Sequence, residues 1–66
     1  MFSYKPLMRQ LLERDMNKKM LKEALGLSPV TMAKFSKNEP VSMETLDCLC
    51  NYFGCEIEDI IKHIKN

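Results

Sequence analysis

The sequence predicts an all-α protein, a compact five-helix bundle that forms a single domain over residues 1–66. Apolar residues recur at intervals of three and four, as they do on the buried face of a helix. Strand signals are nearly absent, because no stretch alternates polar and apolar residues with β-branched enrichment. The third observation is a repeated helix start, in which an apolar residue precedes the N-cap and packs on another apolar residue in the following turn.

The first helix is predicted over residues 4–14. Phe2 and Leu7 form its hydrophobic staple, and Ser3 is placed to cap the first turn. Its apolar stripe, which is expected to face the core, consists of Leu7, Met8, Leu11 and Leu12.

The second and third helices are predicted over residues 18–25 and 29–37. Asn17 and Ser28 are their N-caps, because both residue types accept hydrogen bonds from the unpaired N–H groups of a first turn. Gly26 stands where a left-handed residue ends the second helix. The short connection has the length and chemistry of a helix-turn-helix.

The fourth and fifth helices are predicted over residues 43–53 and 57–64. Ser42 caps the fourth helix, whereas Glu56 is a poorer cap for the fifth. Their apolar stripes are Leu46, Leu49, Cys50 and Phe53 in the fourth helix and Ile57, Ile60, Ile61 and Ile64 in the fifth.

The composition is that of a soluble protein, with 45% hydrophobic and 29% charged residues. No apolar run approaches the roughly 20 residues of a membrane span, and residues 1–4 lack the apolar run of a signal peptide. We therefore expect a cytoplasmic protein with no membrane partner. A domain of 66 residues buries a modest fraction of its surface, so an oligomer would help to stabilise it.

The charges are divided unevenly along the chain. Residues 1–38 contain eight Lys or Arg and three Asp or Glu, a balance of +5, whereas residues 39–66 contain two and six, a balance of −4. Lys18 and Lys19 begin the second helix, where the positive end of the helix dipole disfavours cations. A phosphate bound at this helix start would explain them, and the asymmetry indicates a polyanion partner. Two ordinary solvated surfaces are the alternative.

The third helix has an apolar side and an outward side. Met32 and Phe35, three positions apart, are expected to face the core. The outward residues are Pro29, Val30, Thr31 and Lys34. No acidic residue lies between Glu23 and Glu39, which suits a helix placed against phosphates.

The cysteines are Cys48, Cys50 and Cys55, with His63 as a further potential metal ligand. A metal or redox site is the less favoured interpretation, because Cys48 and Cys50 would point to different faces of one helix. Buried or free thiols and a surface His63 are expected. No Ser/His/Asp, Cys/His or paired-carboxylate set is compatible with these helices, so the sequence predicts no enzyme, cofactor or small-molecule site.

Residues 16–38, MNKKMLKEALGLSPVTMAKFSKN, resemble the helix-turn-helix of the phage repressor and Cro family of bacterial DNA-binding proteins. The shared pattern consists of Asn17-Lys18, Leu21, Gly26-Leu27-Ser28, Met32, Phe35 and Asn38. The stretch VSMETLDCLCNYFGCEIEDII resembles the two following helices of short stand-alone members. The resemblance spans about residues 3–62 and implies a lambda-repressor-like fold and a homodimer on double-stranded DNA.

The resemblance also implies which residues contact phosphates. Asn17 and Lys18 would do so from the start of the second helix, where Lys19 adds positive charge. Lys37 and Asn38 lie where the following loop returns to the phosphates in family members.

Base edges would be reached from the start of the third helix, which Ser28 caps. The residues at base-reading positions are Pro29, Val30, Thr31 and Lys34. Lys34 could donate to guanine O6 or N7, and Val30 could pack on a thymine methyl. Pro29 offers shape alone, since it has no N–H. The chain departs from the family pattern at Lys22, where a small residue is usual, at Ser36, where glutamate is frequent, and in lacking a base-reading Gln or Asn.

The sequence thus predicts a sequence-specific DNA-binding transcriptional regulator, most simply a repressor, that inserts helix 29–37 into the major groove. The alternative is an antitoxin-like or regulatory protein-interaction module whose contacts use the acidic residues of 39–66.

Overall fold

A computed structural model describes residues 1–65 of the chain. In this part the elements are β1 Phe2–Ser3, α1 Lys5–Glu13, α2 Lys18–Leu25, α3 Pro29–Lys37, α4 Met43–Phe53, a 3-10 turn Ile57–Asp59 and β2 Lys62–His63. The helical class is confirmed, but the described residues contain four α-helices and not five.

The bounds predicted for α2, α3 and α4 are confirmed residue for residue. Their caps Asn17, Ser28 and Ser42 each accept a hydrogen bond from the backbone N–H three residues later, over 2.8, 3.1 and 3.1 Å. Gly26 and Gly54 follow α2 and α4 in the left-handed conformation, both with φ 63°. These helices are specified by signals within one turn of each end.

The predicted start of α1 is wrong by one residue. The N-cap is Tyr4, and α1 begins at Lys5. Ser3 is buried, and its Oγ accepts from the Lys5 N–H over 3.2 Å. Phe2 is not a staple residue, because it lies in β1 with 52% of its surface exposed.

The prediction that Leu12 faces the core is also wrong. It is 78% exposed, whereas Leu7 and Leu11 of the same helix are buried. Because these two residues are four apart and define the centre of the buried face, Leu12 is rotated by about 100° from Leu11 toward solvent.

The predicted fifth helix over residues 57–64 is wrong, and so is the expectation that strands are absent. Only the 3-10 turn forms, after which β2 pairs antiparallel with β1, Phe2 opposite His63 and Ser3 opposite Lys62. The Ile60 carbonyl accepts from the Leu7 N–H over 3.1 Å. This bond satisfies one of the first-turn N–H groups of α1 and takes an acceptor that a longer helix would use internally.

The isoleucine stripe therefore does not form one buried face. Ile60 is completely buried, whereas Ile57 and Ile64 are 41% and 38% exposed. Ile64 instead exchanges backbone hydrogen bonds with Met1, over 2.7 and 3.0 Å.

The core receives at least one buried side chain from each α-helix. Its members are Tyr4, Leu7, Leu11, Leu21, Phe35, Leu49, Phe53 and Ile60. Phe35 is the core residue of α3, and its ring meets the edge of the Tyr4 ring at 5.0 Å between centroids. The inner side of α3 is therefore packed into the core. No helix within residues 1–65 is long and apolar enough to cross a bilayer.

Candidate nucleic-acid interface

The connection between α2 and α3 is a tight helix end followed by a capped helix start. The Leu27 N–H donates to the Lys22 carbonyl over 3.0 Å, around the left-handed Gly26. This is the hydrogen bond of a Schellman motif. Ser28 follows at once as the N-cap of α3, so the direction in which α3 leaves the turn is defined by backbone hydrogen bonds.

The inner side of α3 is the one predicted, and two of the four residues predicted to face outward are exposed. Phe35 is buried and Met32 is half-buried against the core. Pro29 and Val30 are exposed, and Val30 presents 66% of its surface to solvent. Lys34 is half-buried.

The hydroxyl groups at the start of α3 form a local pair. Ser28 Oγ accepts from the Thr31 N–H over 3.1 Å and lies 3.0 Å from Thr31 Oγ1. Thr31 is therefore oriented by the cap, and its hydroxyl already has one partner. A base contact by Thr31 has to share this hydroxyl with Ser28.

Lys18 connects α2 to α3. Its Nζ donates to Ser36 Oγ over 2.7 Å, between side chains 18 residues apart. The start of α2 thus lies beside the C-terminal half of α3. Ser36, which the sequence marks only as a departure from the family pattern, is the residue that positions the Lys18 ammonium.

Asn38 ends α3 and faces inward through its side-chain oxygen. It adopts the left-handed conformation, with φ 56°, and its Oδ1 accepts from the Tyr4 N–H over 3.1 Å. Tyr4 Oη donates to the Glu39 carbonyl over 2.7 Å. Only Nδ2 of the Asn38 amide is left for a phosphate. Tyr4 was missed as a site-positioning residue, because it is separated from Asn38 by 34 positions of sequence.

We define the basic face as residues 17–19, 28–31, 34 and 37. Lys18, Lys19 and Lys37 are exposed, Lys34 is half-buried, and no acidic residue occurs from residue 24 to residue 38. The local charge is therefore uniformly positive along α3, even though the net charge of the chain is only +1. A surface of this sign attracts a polyanion at long range and suits direct contact with phosphates.

The family model for the Cro/C1-type HTH DNA-binding domain matches residues 7–66. The chain belongs to the Cro/C1-type helix-turn-helix family. Its members are DNA-binding transcriptional regulators, so this protein functions in transcriptional regulation by binding DNA.

A solved structure supports the Cro/C1-type assignment over almost the whole chain. The crystal structure of the transcriptional regulator VanUg superimposes with a TM-score of 0.93 and 43% sequence identity, over 98% of this chain and 87% of VanUg. No curated protein sequence matches significantly. The four-helix arrangement is thus shared with a known regulator.

The cysteine and histidine side chains of residues 1–65 do not form a metal site. Within residues 1–65, no three His, Cys, Asp or Glu side chains are close enough to hold a metal ion together. His63 lies in β2, exposed, with its ring 5.1 Å from the Phe2 ring.

Proposed function

We propose that this Cro/C1-type protein is a cytoplasmic, single-domain transcriptional repressor that binds a specific double-stranded DNA sequence by inserting α3 into the major groove. The observation that carries the proposal is the division of α3 into a buried and an open side. Phe35 holds the inner side in the core, while Pro29 and Val30 stand exposed at the N-terminal end. In helix-turn-helix proteins these N-terminal positions contact the bases.

Base reading would rest on few groups. Val30 offers an apolar surface for a thymine methyl, and Lys34 offers a donor for guanine O6 or N7. Pro29 contributes shape, and Thr31 contributes a hydroxyl shared with Ser28. Specificity would therefore come from methyl contacts and DNA shape as much as from hydrogen bonds.

Phosphate contacts would supply most of the affinity. Lys18 and Lys19 stand at the N-terminus of α2, where N–H groups and the helix dipole favour an anion. The bond from Lys18 to Ser36 holds one ammonium beside α3, and Lys37 extends the positive surface along the helix. Asn17 and Asn38 can donate from their Nδ2 groups, since their Oδ1 atoms are engaged by Met20 and Tyr4.

The size of the protein favours a two-fold homodimer on DNA. Its longest extent is 33 Å, close to the roughly 34 Å between half-sites one helical turn apart. Two copies on neighbouring half-sites would therefore lie against each other. A single short helix reads few base pairs, so pairing two copies would give the sequence specificity a repressor needs.

An apolar groove beside the end of α3 is suited to be the dimer contact. It is lined by Met1, Phe2, Tyr4, Asn38, Glu39, Pro40, Val41, Met43, Leu46 and Ile61. Met43 stands at its rim with 80% of its surface exposed. A protruding methionine next to an apolar groove is self-complementary, as a two-fold contact requires.

The decisive experiment compares two double variants of equal charge change. Lys18→Ala with Lys34→Ala removes two cations of the basic face, whereas Lys62→Ala with Lys65→Ala removes two from the other end of the chain. Binding to genomic fragments is measured over a salt titration. We expect the first variant to bind more weakly and to lower the slope of log affinity against log salt by about 0.9 for each lost phosphate contact, and the second to bind as the wild type does.

Equal affinity for all fragments would refute sequence-specific regulation. Intact binding by the Lys18/Lys34 variant would instead favour the protein-interaction module. Repression is tested with a promoter reporter carrying the recovered site, where expression must fall when the protein is produced and recover with the Lys18/Lys34 variant.

A further inference from the structure

The C-terminal end of α4 brings two cysteines together. The Gly54 N–H and the Cys55 N–H both donate to the Cys50 carbonyl, the latter over 3.1 Å, with Gly54 in the left-handed conformation. In Schellman motifs the side chains on either side of the turn frequently come into contact. Here both of these side chains are thiols, and each is half-buried.

The two thiols lie on either side of the same turn. Each affects the pKa of the other, and Gln10 of α1 lowers that of Cys55. Cys48 differs from both, because it is exposed on the same helix. The chain therefore contains one thiol pair and one separate thiol that serves as an internal control.

The surroundings keep the paired thiols protonated. Burial raises the pKa of Cys50, and the carboxylates of Asp47, Glu56 and Asp59 raise it further. Burial, Cys50 and Asp59 likewise raise the pKa of Cys55, against a smaller opposing effect of Arg14. Thiols of high pKa react slowly, but they are also poor leaving groups, so a disulfide between them resists reduction once formed.

We propose that Cys50 and Cys55 are a modification site, a dithiol that a peroxide converts into an intramolecular disulfide across the end of α4. One thiol, as its thiolate, attacks a peroxide oxygen, which cleaves the O–O bond and yields a sulfenic acid and one water from hydrogen peroxide. The second thiol then attacks the sulfenic sulfur, and the S–S bond forms as a second water leaves. Two thiols are oxidised by two electrons and the peroxide is reduced by two.

The cross-link would join α4 to the segment that holds the sheet. Cys55 is followed by the 3-10 turn, by the completely buried Ile60 and by β2. Because β2 pairs with β1, which leads directly to Tyr4, oxidation would tie the end of α4 more firmly to the chain that holds α3. This inference is independent of DNA binding, since no cysteine belongs to the basic face.

The test is oxidation of the purified full chain with hydrogen peroxide, followed by trapping of free thiols and mass spectrometry of peptides. Wild type and Cys48→Ser are each expected to lose about 2 Da and two alkylatable thiols, with the link mapped to Cys50–Cys55 and reversed by dithiothreitol. Cys50→Ser and Cys55→Ser must show no such loss. Circular dichroism checks that each variant folds, and Cys50→Ala and Cys55→Ala replace any that does not.

Two results would overturn the proposal. One is a peroxide-treated wild type in which Cys50 and Cys55 remain alkylatable or carry only separate oxidations. The other is a predominant disulfide through Cys48 between two copies of the chain. A supporting second readout is a higher Tm of the oxidised Cys48→Ser protein than of the same protein kept reduced.

Discussion

The backbone N–H of Tyr4 donates to Oδ1 of Asn38 over 3.1 Å, and this bond joins the start of α1 to the end of α3. The Tyr4 hydroxyl adds a second bond, to the Glu39 carbonyl, over 2.7 Å. Its ring packs edge-on against Phe35. One buried residue thus contacts the inner side of α3, its C-cap residue and the residue that follows.

Replacing Tyr4 by phenylalanine removes only the hydroxyl bond. We expect Tyr4→Phe to lower the free energy of unfolding by about 1 kcal/mol, because the Glu39 carbonyl loses a partly buried donor. Urea denaturation measures the change. Tyr52→Phe is the matched control, since Tyr52 is 45% exposed, and an equal loss in both variants would contradict the role given to Tyr4.

Within residues 1–65, two residues other than glycine adopt the left-handed conformation, and we expect replacement by glycine to affect them differently. Asp15 has φ 54° after α1 and Asn38 has φ 56° after α3. Asp15→Gly is expected to raise stability by up to about 1 kcal/mol by relieving the backbone. Asn38→Gly gains the same relief but loses the acceptor of the Tyr4 N–H, so a net loss is expected.

Thermal unfolding of the wild type and both glycine variants decides the matter. A higher Tm for Asn38→Gly than for Asp15→Gly would show that the Asn38 side chain contributes little to stability.

Val30 is expected to read a thymine methyl. On the DNA site recovered by selection from a random pool, Val30→Ala is expected to weaken binding roughly fourfold, which corresponds to about 0.8 kcal/mol for a lost apolar contact. Replacing the contacted thymine by uracil removes the methyl from the other side. If Val30 contacts this methyl, the two changes together weaken binding little more than either change alone. Fully additive losses of binding free energy would exclude the contact.

Stability is expected to fall in alkaline solution. Burial raises the pKa of Tyr4, and burial with nearby carboxylates raises that of Cys50; the pKa of Cys55 is raised as well. The native state then holds protons that the unfolded chain has released, so stability is fully present below the ordinary thiol pKa of about 8.5 and is lost as pH rises through the native values.

Urea midpoints measured from pH 7 to pH 10.5 under reducing conditions test this dependence. Cys50→Ser with Cys55→Ser is expected to remove the loss of stability at the lower end of this pH range. Tyr4→Phe is expected to remove the loss at the upper end, because the ordinary tyrosine pKa is about 10. A stability that rises over this range would have the wrong sign.

A single substitution that introduces a charge tests the proposed dimer contact. Met43→Glu is expected to give a monomer and to weaken binding to a two-fold DNA site, because a carboxylate would be buried in an apolar contact. Leu12→Glu is the control, since Leu12 is 78% exposed against 80% for Met43 but lies outside the groove. Sedimentation velocity reports the oligomeric state. If Leu12→Glu dissociates the dimer, or if Met43→Glu does not, the dimer contact lies elsewhere.

The sequence by itself determined α2, α3 and α4 and the orientation of α3. Asn17, Ser28 and Ser42 cap these helices through bonds three residues long. Such signals act within a single turn and need no knowledge of the remaining chain. The inward side of α3 followed from the spacing of Met32 and Phe35, for the same reason. The DNA contacts assigned to the basic face remain predictions.

Only the tertiary structure decided how residues 1–4 and 57–64 fold and which residues hold the basic face in position. Residues 57–64 have a helical pattern, yet the Leu7 N–H takes the Ile60 carbonyl and β1 pairs with β2. Lys18 meets Ser36 from 18 residues away, and Tyr4 meets Asn38 from 34. Hydrogen bonds of this range depend on which groups the folded chain brings side by side, and no local pattern encodes that choice.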